Sequence, residues 1–337
     1  MAIDWQRWVN LVRVHRRFVV TSHVRPDGDS LGCAVALAHA LRDLGKETAI
    51  VNPSPAPQRY RFLDPERCIV EASDPRAAQV MADAEVVIVV DTSTWDQLGP
   101  VRELIQASGA RRVVIDHHVS EDDLGAEMFK DTTIPACGLL VFDALQALQY
   151  RLTPRVAEAL FTAVATDTGW FRFSSTSAQV LYVAAQLVDA GAQPERIYRR
   201  VFEENSLARL HLMGRALERL ELSPGGLVSY TYIRMRDLDE TGAQSQDTED
   251  VVNYTLTIAE ARVGLLFIEL AAERTKVSFR SKDDVDSTAL AGRFGGGGHR
   301  RAAGAVLEMP IEKAMPYVLR IVDQLVAAKP TDGAGAP

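Results

Sequence analysis

The chain has 337 residues, of which 47% are hydrophobic and 24% charged, and its formal net charge is −8. This length predicts two domains rather than one, and the composition is that of an ordinary globular protein. The negative charge argues against a long non-specific groove for DNA or RNA, because such grooves draw affinity from many Lys and Arg contacts to phosphates. It still allows a short, phosphate-rich ligand to bind in a local pocket.

Three features of the sequence concern the compartment. No apolar run reaches the roughly 18 residues of a membrane span. Residues 1–17 lack the apolar core of a signal peptide. The three cysteines, Cys33, Cys68 and Cys137, are odd in number and far apart, which is typical of reduced thiols. We therefore expect a cytoplasmic protein.

Apolar strands that alternate with helices predict a parallel α/β sheet in the N-terminal part of the chain. The predicted strands are 17–22, 47–52, 85–90 and 111–115, and the predicted helices are 29–44, 138–150, 154–166 and 177–190. Such sheets are covered by helices on both faces, and their ligands bind at the carboxyl ends of the strands. His23, Asp91 and Asp116 each stand where a predicted strand ends.

A second, smaller α/β domain is predicted after a helical linker. Its elements are a strand at 227–234, a helix at 248–258, a hairpin with arms 263–270 and 276–280, a helix at 287–293 and a closing helix at 311–328. The predicted organisation is a first domain at 1–190, a linker at 191–222, a second domain at 223–328 and a disordered tail at 329–337.

Four short motifs of the first domain, at 22–30, 90–93, 116–118 and 166–169, carry Asp and His side chains. Each motif alone is weak, since Pro-Asp-Gly-Asp is a common turn and an Asp at the end of a strand often caps the next element. Four such motifs, in order along one domain, indicate a site. The residues concerned are His23, Asp27, Asp29, Asp91, Asp116, His117, His118 and Asp167.

Imidazoles and carboxylates with almost no sulfur are typical of a site for divalent cations. They suit Mn²⁺, Mg²⁺, Co²⁺ or Zn²⁺, and an oxygen-rich octahedral set favours Mn²⁺ or Mg²⁺. Asp91 follows a central strand and is well placed to bridge two ions. Two ions about 3.5–4 Å apart can clamp a phosphate and neutralise the transition state. The sequence therefore predicts a two-metal phosphoesterase.

The glycine run 295–298, followed by His299, Arg300 and Arg301, predicts an anion-binding loop in the second domain. Consecutive glycines let backbone N–H groups approach a phosphate, and cationic side chains follow at once. Arg280 ends a predicted strand and could reach the same phosphate, with Arg262 as a weaker candidate.

These segments resemble the DHH/DHHA1 phosphoesterase family, named for the Asp-His-His triplet at 116–118. The similarity extends to SHVRPDGDSLG at 22–32, VVDTS at 89–93, DTGWFRF at 167–173 and FGGGGHRRAAG at 294–304, the last of which marks the DHHA1 domain. The two-domain plan without added modules is most similar to the nanoRNase and pAp-phosphatase branch. The resemblance implies an enzyme that degrades oligoribonucleotides of a few residues and dephosphorylates 3′-phosphoadenosine 5′-phosphate (pAp). Its active site would lie in the cleft between a DHH domain and a DHHA1 domain.

The resemblance also implies the ligands of two divalent ions, with Mn²⁺ favoured and Mg²⁺ or Co²⁺ as alternatives. They are His23, Asp27 and the bridging Asp91 for one ion, and Asp91, Asp29, His117 and Asp167 for the other. The implied substrate-binding residues belong to the second domain. They are Arg262, Arg280, Ser281, Gly297, Gly298 and His299.

His118 and Asp116 are the implied catalytic pair. His118 would face the scissile phosphate, and Asp116 would orient an imidazole. The sequence departs from the family pattern at Cys33, at Glu121 and at Ser175-Thr176. None of these positions is an implied metal ligand, so the departures concern how the substrate is positioned.

Several alternatives remain open at this point. A phosphodiesterase for cyclic di-AMP or its linear product pApA would use the same motifs, and so would an inorganic pyrophosphatase, although the glycine loop favours an organic nucleotide. A nucleotide-binding sensor would be expected to lack metal ligands, and a processive DNA exonuclease usually has further domains. The sequence leaves open the identity of the metal, the cleavage polarity and the preference for RNA or DNA. It also leaves open the oligomeric state, and a homodimer is one of the alternatives.

Overall fold

The sheet of the first unit, Met1–Glu204, consists of six parallel strands in the order β3-β2-β1-β4-β5-β6. The computed structural model describes residues 3–282 and 285–327. The strands are β1 (Arg17–Thr21), β2 (Glu47–Asn52), β3 (Ile69–Glu71), β4 (Val86–Val90), β5 (Arg111–Asp116) and β6 (Glu127–Lys130). Because the chain order reverses between β1 and β4, the ends of these neighbouring strands border a crevice in which such sheets bind their ligands.

Helices cover both faces of this sheet. They are α1 (Trp5–Val14), α2 (Gly28–Asp43), α3 (Arg76–Ala82), α4 (Trp95–Leu98), α5 (Val101–Ala107), α6 (Cys137–Ala147), α7 (Pro154–Asp167), α8 (Ala178–Asp189) and α9 (Pro194–Tyr198), with a π-helical turn at Arg199–Glu203 and a 3₁₀ turn at Gln58–Leu63. The packing of strand β4 on both faces explains why its sequence is apolar at every position. Val86, Ile88 and Val90 pack with α2, α6 and α7. Val87 and Val89 pack on the opposite face with α3 to α5.

The second unit, Asn205–Pro337, contains a mixed sheet in the order β11-β12-β10-β9-β8-β7. Its strands are β7 (Glu221–Leu222), β8 (Val228–Ile233), β9 (Val263–Ala271), β10 (Arg274–Ser281), β11 (Gly297–His299) and β12 (Ala302–Leu307). Its helices are α10 (Leu207–Glu218), α11 (Met235–Thr241), α12 (Val251–Thr255), α13 (Ser287–Gly292) and α14 (Ile311–Ala327), with a 3₁₀ turn at Ser245–Thr248. Phe267 and Phe279 pack with Val318 of α14 on one face, and Leu266 packs with Leu212 of α10 on the other.

The predicted α/β class and the parallel sheet are confirmed, and each strand predicted in the first unit is present. The helical pattern at 195–222 is interrupted, because Ser206 caps a new helix by accepting a hydrogen bond from the Arg209 backbone N–H at 3.0 Å. The predicted tail at 329–337 lies outside the described residues. Among the residues that are described, no helix is both long and apolar enough to cross a bilayer.

Some helices and strands of the structure were not predicted from the sequence. Helix α1, helices α3 to α5 and the two outer strands β3 and β6 were not predicted, since these segments are short or mix apolar and charged residues. The glycine run was predicted as a loop, and this was wrong for its second half. Gly297 and Gly298 belong to strand β11, which pairs antiparallel with β12.

Candidate metal centre

Three strand ends at the crevice of the first sheet carry the central polar residues. His23 lies just after β1, Asp91 directly after β4, and Asp116 is the last residue of β5. The backbone of Asp91 is left-handed, with φ of 62°, a conformation that Asp adopts more readily than most side chains. This turn ends the strand while the Asp91 N–H still donates to the Ile115 carbonyl at 3.0 Å.

His23, Asp27 and Asp91 form one group of metal-binding side chains. His23 Nε2 lies 3.4 Å from Asp91 Oδ2 and 3.8 Å from Asp27 Oδ1. Its other ring nitrogen, Nδ1, lies 2.9 Å from the Val24 carbonyl, which fixes the ring. Asp27 is also the N-cap of α2, where it accepts from the Ser30 N–H at 3.0 Å. The group is therefore held by two strand ends and one helix start.

Asp29, His117 and Asp167 form a second group. His117 Nε2 lies 3.6 Å from Asp167 Oδ2 and 3.9 Å from Asp29 Oδ2. The same nitrogen lies 3.2 Å from Asp91 Oδ1, so one carboxylate faces both groups through its two oxygens. His117 Nδ1 lies 3.0 Å from the Ile134 carbonyl, an outer contact of the kind that orients metal-binding imidazoles.

Asp29 is placed by the start of helix α6. Its carboxylate accepts from the backbone N–H groups of Cys137 at 2.6 Å and Gly138 at 2.9 Å. The Cys33 thiol donates to the same carboxylate at 3.3 Å. Ala136, the N-cap of α6, offers no side-chain acceptor. Asp29 therefore satisfies N–H groups that the helix would otherwise leave without partners.

Burial and the charges of neighbouring side chains shift the pKa values of the residues in both groups. Burial by itself lowers the pKa of both imidazoles, but the hydrogen bonds and charges of neighbouring carboxylates outweigh it and raise the pKa of His23 to about 9 and of His117 to about 10. Burial and the charges of nearby carboxylates raise the pKa of Asp29, and burial raises that of Asp167 to about 7. Burial also opposes ionisation of Asp91, yet the imidazoles lower its pKa below the usual range.

This donor set fits divalent cations. Carboxylates packed this closely repel one another, and a bound cation relieves that repulsion. Asp91 Oδ1 is buried and accepts no well-aligned hydrogen bond from the described residues, although His117 Nε2 is only 3.2 Å away. Such an atom is suited to binding an ion. His118 lies close enough to Asp91 and His117 to form a third possible group.

Asp116 orients His118. Its Oδ1 accepts from the backbone N–H groups of His117 at 2.8 Å and His118 at 3.1 Å, and lies 2.8 Å from His118 Nδ1. Burial opposes ionisation of Asp116, but hydrogen bonds from His118 and Ser93 lower its pKa. An ionised carboxylate can only accept, so His118 Nδ1 carries the shared proton and Nε2 is the nitrogen left for other contacts.

Two residues behind Asp116 were not singled out from the sequence. The Ser93 hydroxyl lies 2.7 Å from Asp116 Oδ2, and Lys130 Nζ lies 2.7 Å from the Ser93 Oγ. Ser93 stands in one of the quoted motifs, so its position was a usable signal. Lys130 is the last residue of β6, a short strand that contains both apolar and charged residues. Nothing in this local pattern distinguishes it from a surface lysine.

The substrate-binding candidates of the second unit occupy different environments. Arg280 Nε donates to Asn253 Oδ1 at 3.1 Å, and burial lowers the pKa of its guanidinium. Ser281 is buried, and its hydroxyl donates to the Val285 carbonyl at 2.7 Å. Arg262 Nη1 donates to the Val326 carbonyl at the end of the described α14.

The glycines of β11 differ in what a side chain would meet. Gly298 has φ of 142°, and a Cβ there would lie 2.6 Å from the Ala302 carbonyl oxygen. A Cβ on Gly297 would meet nothing within 4 Å. The strand pairing therefore requires glycine at 298 but gives no steric reason for glycine at 297. The side chain of His299 lies outside the described part of the structure.

Both units of the chain match known protein families. Residues 17–166 match the family model of the DHH family, N-terminal domain, and residues 226–328 match that of the DHHA1 domain. The "Bifunctional oligoribonuclease and PAP phosphatase NrnA" of Thermus thermophilus is 31% identical over 307 residues, which cover 90% of this chain and 88% of that protein.

Two solved structures share the fold. The crystal structure of an exopolyphosphatase-related protein from Bacteroides fragilis superposes with a TM-score of 0.90 at 24% identity, covering 96% of this chain and 98% of that one. RecJ from Thermus thermophilus, solved in complex with Mn²⁺, has a TM-score of 0.56 at 14% identity, covering 98% of this chain and 56% of that one.

Proposed function

Because this chain belongs to the DHH/DHHA1 phosphoesterase family, we propose that it is a two-metal hydrolase of short oligoribonucleotides and of pAp. One observation carries the proposal: two groups of three metal-binding side chains lie side by side, and the buried carboxylate of Asp91, a member of the first group, also faces His117 of the second. The named activities of the 31% identical relative, oligoribonuclease and PAP phosphatase, are the ones that we propose for this chain.

Each side chain of the centre has a part in the proposed reaction. The first ion would be held by His23, Asp27 and Asp91, and the second by Asp91 with Asp29, His117 and Asp167. Two divalent cations, when bound, supply Lewis-acid stabilisation of the phosphoryl oxygens and activation of a water. The oxygen-rich donors favour Mn²⁺ or Mg²⁺, with Co²⁺ as an alternative.

His118 is the proposed catalytic residue nearest to the reacting phosphate. Its Nδ1 donates to Asp116, so its Nε2 would face the substrate. Asp116 keeps the ring in one tautomer and one orientation, as carboxylates do for catalytic imidazoles. The ring is about one-fifth exposed and so accessible from solvent.

The experiment that tests the proposed function is product analysis. The protein is incubated with pApA, longer oligonucleotides, cyclic di-AMP and pAp, each with Mn²⁺ or Mg²⁺, and the products are separated by chromatography. Release of AMP from pApA and from pAp is the expected result. Binding of these nucleotides without turnover would instead indicate a sensor, and preference for cyclic di-AMP would indicate a cyclic dinucleotide phosphodiesterase.

We propose further that the second unit binds the terminal phosphate of the substrate through Arg280 and the glycine strand, with His299 beside it. A partly desolvated guanidinium is a strong partner for phosphate, and Asn253 orients that of Arg280. Gly297 is exposed and has open space where a side chain would be, so an anion could approach the backbone there.

Variants of Arg280 and His299 test this role. Arg280→Ala and His299→Ala should keep their metal content and lose roughly 10- to 150-fold in kcat/KM on pApA, the equivalent of about 1.5–3 kcal/mol for a lost charge-assisted contact. The matched control is Arg274→Ala, which removes an exposed arginine of the same strand paired with Glu308. Equal loss on a small phosphodiester without a terminal phosphate would show that the two residues are structural.

The proposed compartment is the cytoplasm. Cys33 and Cys137 are buried free thiols, and each donates a hydrogen bond, to Asp29 and to the Ile115 carbonyl respectively. Such reduced thiols suit a reducing compartment. Cell fractionation with an antibody against the protein tests this assignment.

A further inference from the structure

A buried lysine stands behind the Asp116–His118 pair. Lys130 ends β6, directly opposite Asp116 in the parallel pairing of β5 and β6. Its side chain is only 9% exposed, and Nζ lies 3.5 Å from Asp116 Oδ2. Asp116 itself is fully buried. A buried carboxylate needs compensation of its charge, and Lys130 supplies a cation next to it.

The ammonium group of Lys130 has three close oxygen neighbours besides Asp116. Nζ donates to Ser93 Oγ at 2.7 Å and to the Ser120 carbonyl at 2.9 Å, and it forms an ion pair with Glu121 Oε2 at 3.0 Å. Two of the three ammonium hydrogens are therefore bound by Ser93 and Ser120. Glu121 is one of the positions at which the sequence departs from the family pattern, and the structure pairs it with Lys130.

The single hydrogen of Ser93 then has a defined destination. Ser93 Oγ lies within hydrogen-bond distance of two acceptors, Asp116 Oδ2 at 2.7 Å and the Ser120 carbonyl at 2.8 Å. A hydroxyl donates once. Because the Ser120 carbonyl already accepts from the Lys130 ammonium, the Asp116 carboxylate is the stronger acceptor of the two for the Ser93 hydrogen.

We propose that Lys130 is a positioning residue for His118, acting through Ser93 and Asp116. This role rests on the proposed function, in which His118 faces the reacting phosphate. Lys130 directs the Ser93 hydroxyl to Asp116 Oδ2, and Asp116 Oδ1 holds His118 Nδ1. The whole chain of contacts fixes the tautomer and the ring orientation of His118. Without the lysine, Ser93 can donate to the Ser120 carbonyl instead, and Asp116 loses both a donor and a compensating charge.

The kinetic test uses Lys130→Met, which keeps an unbranched side chain of similar length. Its kcat on pApA should fall by about 10- to 100-fold, the usual effect of removing an outer contact of a metal site. KM and the Mn²⁺ content should stay unchanged. Lys46→Met is the control, because Lys46 Nζ donates to the backbone carbonyl of His15, which belongs to neither metal group. Unchanged kcat in Lys130→Met would overturn the proposal.

A double variant tests the route. If Lys130 acts mainly through Ser93, Lys130→Met should slow the Ser93→Ala variant far less than it slows the wild type, and the small remaining effect is the lost charge next to Asp116. Losses that multiply would show that Lys130 acts elsewhere.

The third readout does not need turnover. The ¹⁵N NMR signals of the His118 ring, recorded on the full chain with Mg²⁺, should show a protonated Nδ1 in the wild type and a mixture of tautomers in Lys130→Met. Identical spectra would overturn the positioning role even if the variant were slow because of partial unfolding. If the wild type hydrolysed neither pApA nor pAp, the proposed function would fail, while these spectra would still decide the role of Lys130.

Discussion

Replacing Asp91 by Asn removes the carboxylate that faces both groups of metal-binding side chains and keeps the shape of the side chain. Asp91 Oδ2 lies 3.4 Å from His23 Nε2, and Oδ1 lies 3.2 Å from His117 Nε2. The backbone at this position has φ of 62°, which Asn tolerates as well as Asp does. We therefore expect Asp91→Asn to fold normally and to lose its metals.

The size of the loss follows from the contacts removed. The variant loses one charge-assisted contact for each ion, and such a contact contributes about 1.5–3 kcal/mol. The affinity for each ion should fall roughly 10- to 150-fold, since 1.4 kcal/mol is about a factor of ten. If both metal sites must be occupied in the transition state, the two losses multiply. The rate of pApA hydrolysis should then fall by roughly 10²- to 10⁴-fold.

The assay compares Asp91→Asn with Asp96→Asn, which makes the same change of charge at an exposed position of α4. Mn²⁺ binding is measured by calorimetry, bound metal by elemental mass spectrometry, hydrolysis on pApA, and folding by thermal unfolding. The control should behave as the wild type in all four. Wild-type Mn²⁺ affinity in Asp91→Asn, or one ion or none in the active wild type, would refute the two-metal centre. Asp91→Ala should be equally inactive and should add backbone strain of about 1–2 kcal/mol.

Three further predictions concern pH, the glycine strand and substrate length. His23 and His117 have pKa values raised to about 9 and 10, so in the metal-free protein their contribution to the free energy of unfolding is complete below roughly pH 6.5 and is lost as pH rises through 9 and 10. Because imidazole must be neutral to bind a cation, Mn²⁺ binding at pH 7 should release about two protons from these rings, and the Mn²⁺ affinity should rise from pH 6 to 9. Calorimetry in two buffers of different ionisation enthalpy measures the number of protons released. A pH-independent Mn²⁺ affinity would contradict this prediction. Gly297→Ala should melt with the wild type yet bind pApA more weakly, whereas Gly298→Ala should lower the melting temperature because its Cβ would meet a carbonyl oxygen at 2.6 Å; the reverse pattern would show that residue 297 is the structural one. Turnover per molecule should fall as oligoribonucleotides lengthen, since a net charge of −8 disfavours long polyanions; processive digestion of long strands, seen on gels, would argue against this.

The sequence by itself determined which segments form the long strands of the first sheet and which polar residues follow them. The segment 86–90 is apolar at every position, because its two faces pack against different sets of helices. Asp91 follows it at once, and Asp116 ends the next long strand. Parallel strands end at one edge of a sheet, so the chemistry of the site could be predicted from these local patterns. The capping role of Asp27 is also local, since its partner is only three residues away.

Only the tertiary structure decided the order of the strands, which places β1 beside β4 and so brings His23 to Asp91. It also decided that Asp29 satisfies the first N–H groups of α6, more than a hundred residues along the chain. Lys130 reaches Asp116 only because β6 pairs with β5. Such contacts depend on which distant segments become neighbours, and a local pattern of apolar and polar residues does not specify that. The second half of the glycine run became a strand for the same reason: residues 302–304 supply its partner, and the glycines alone favour no regular structure.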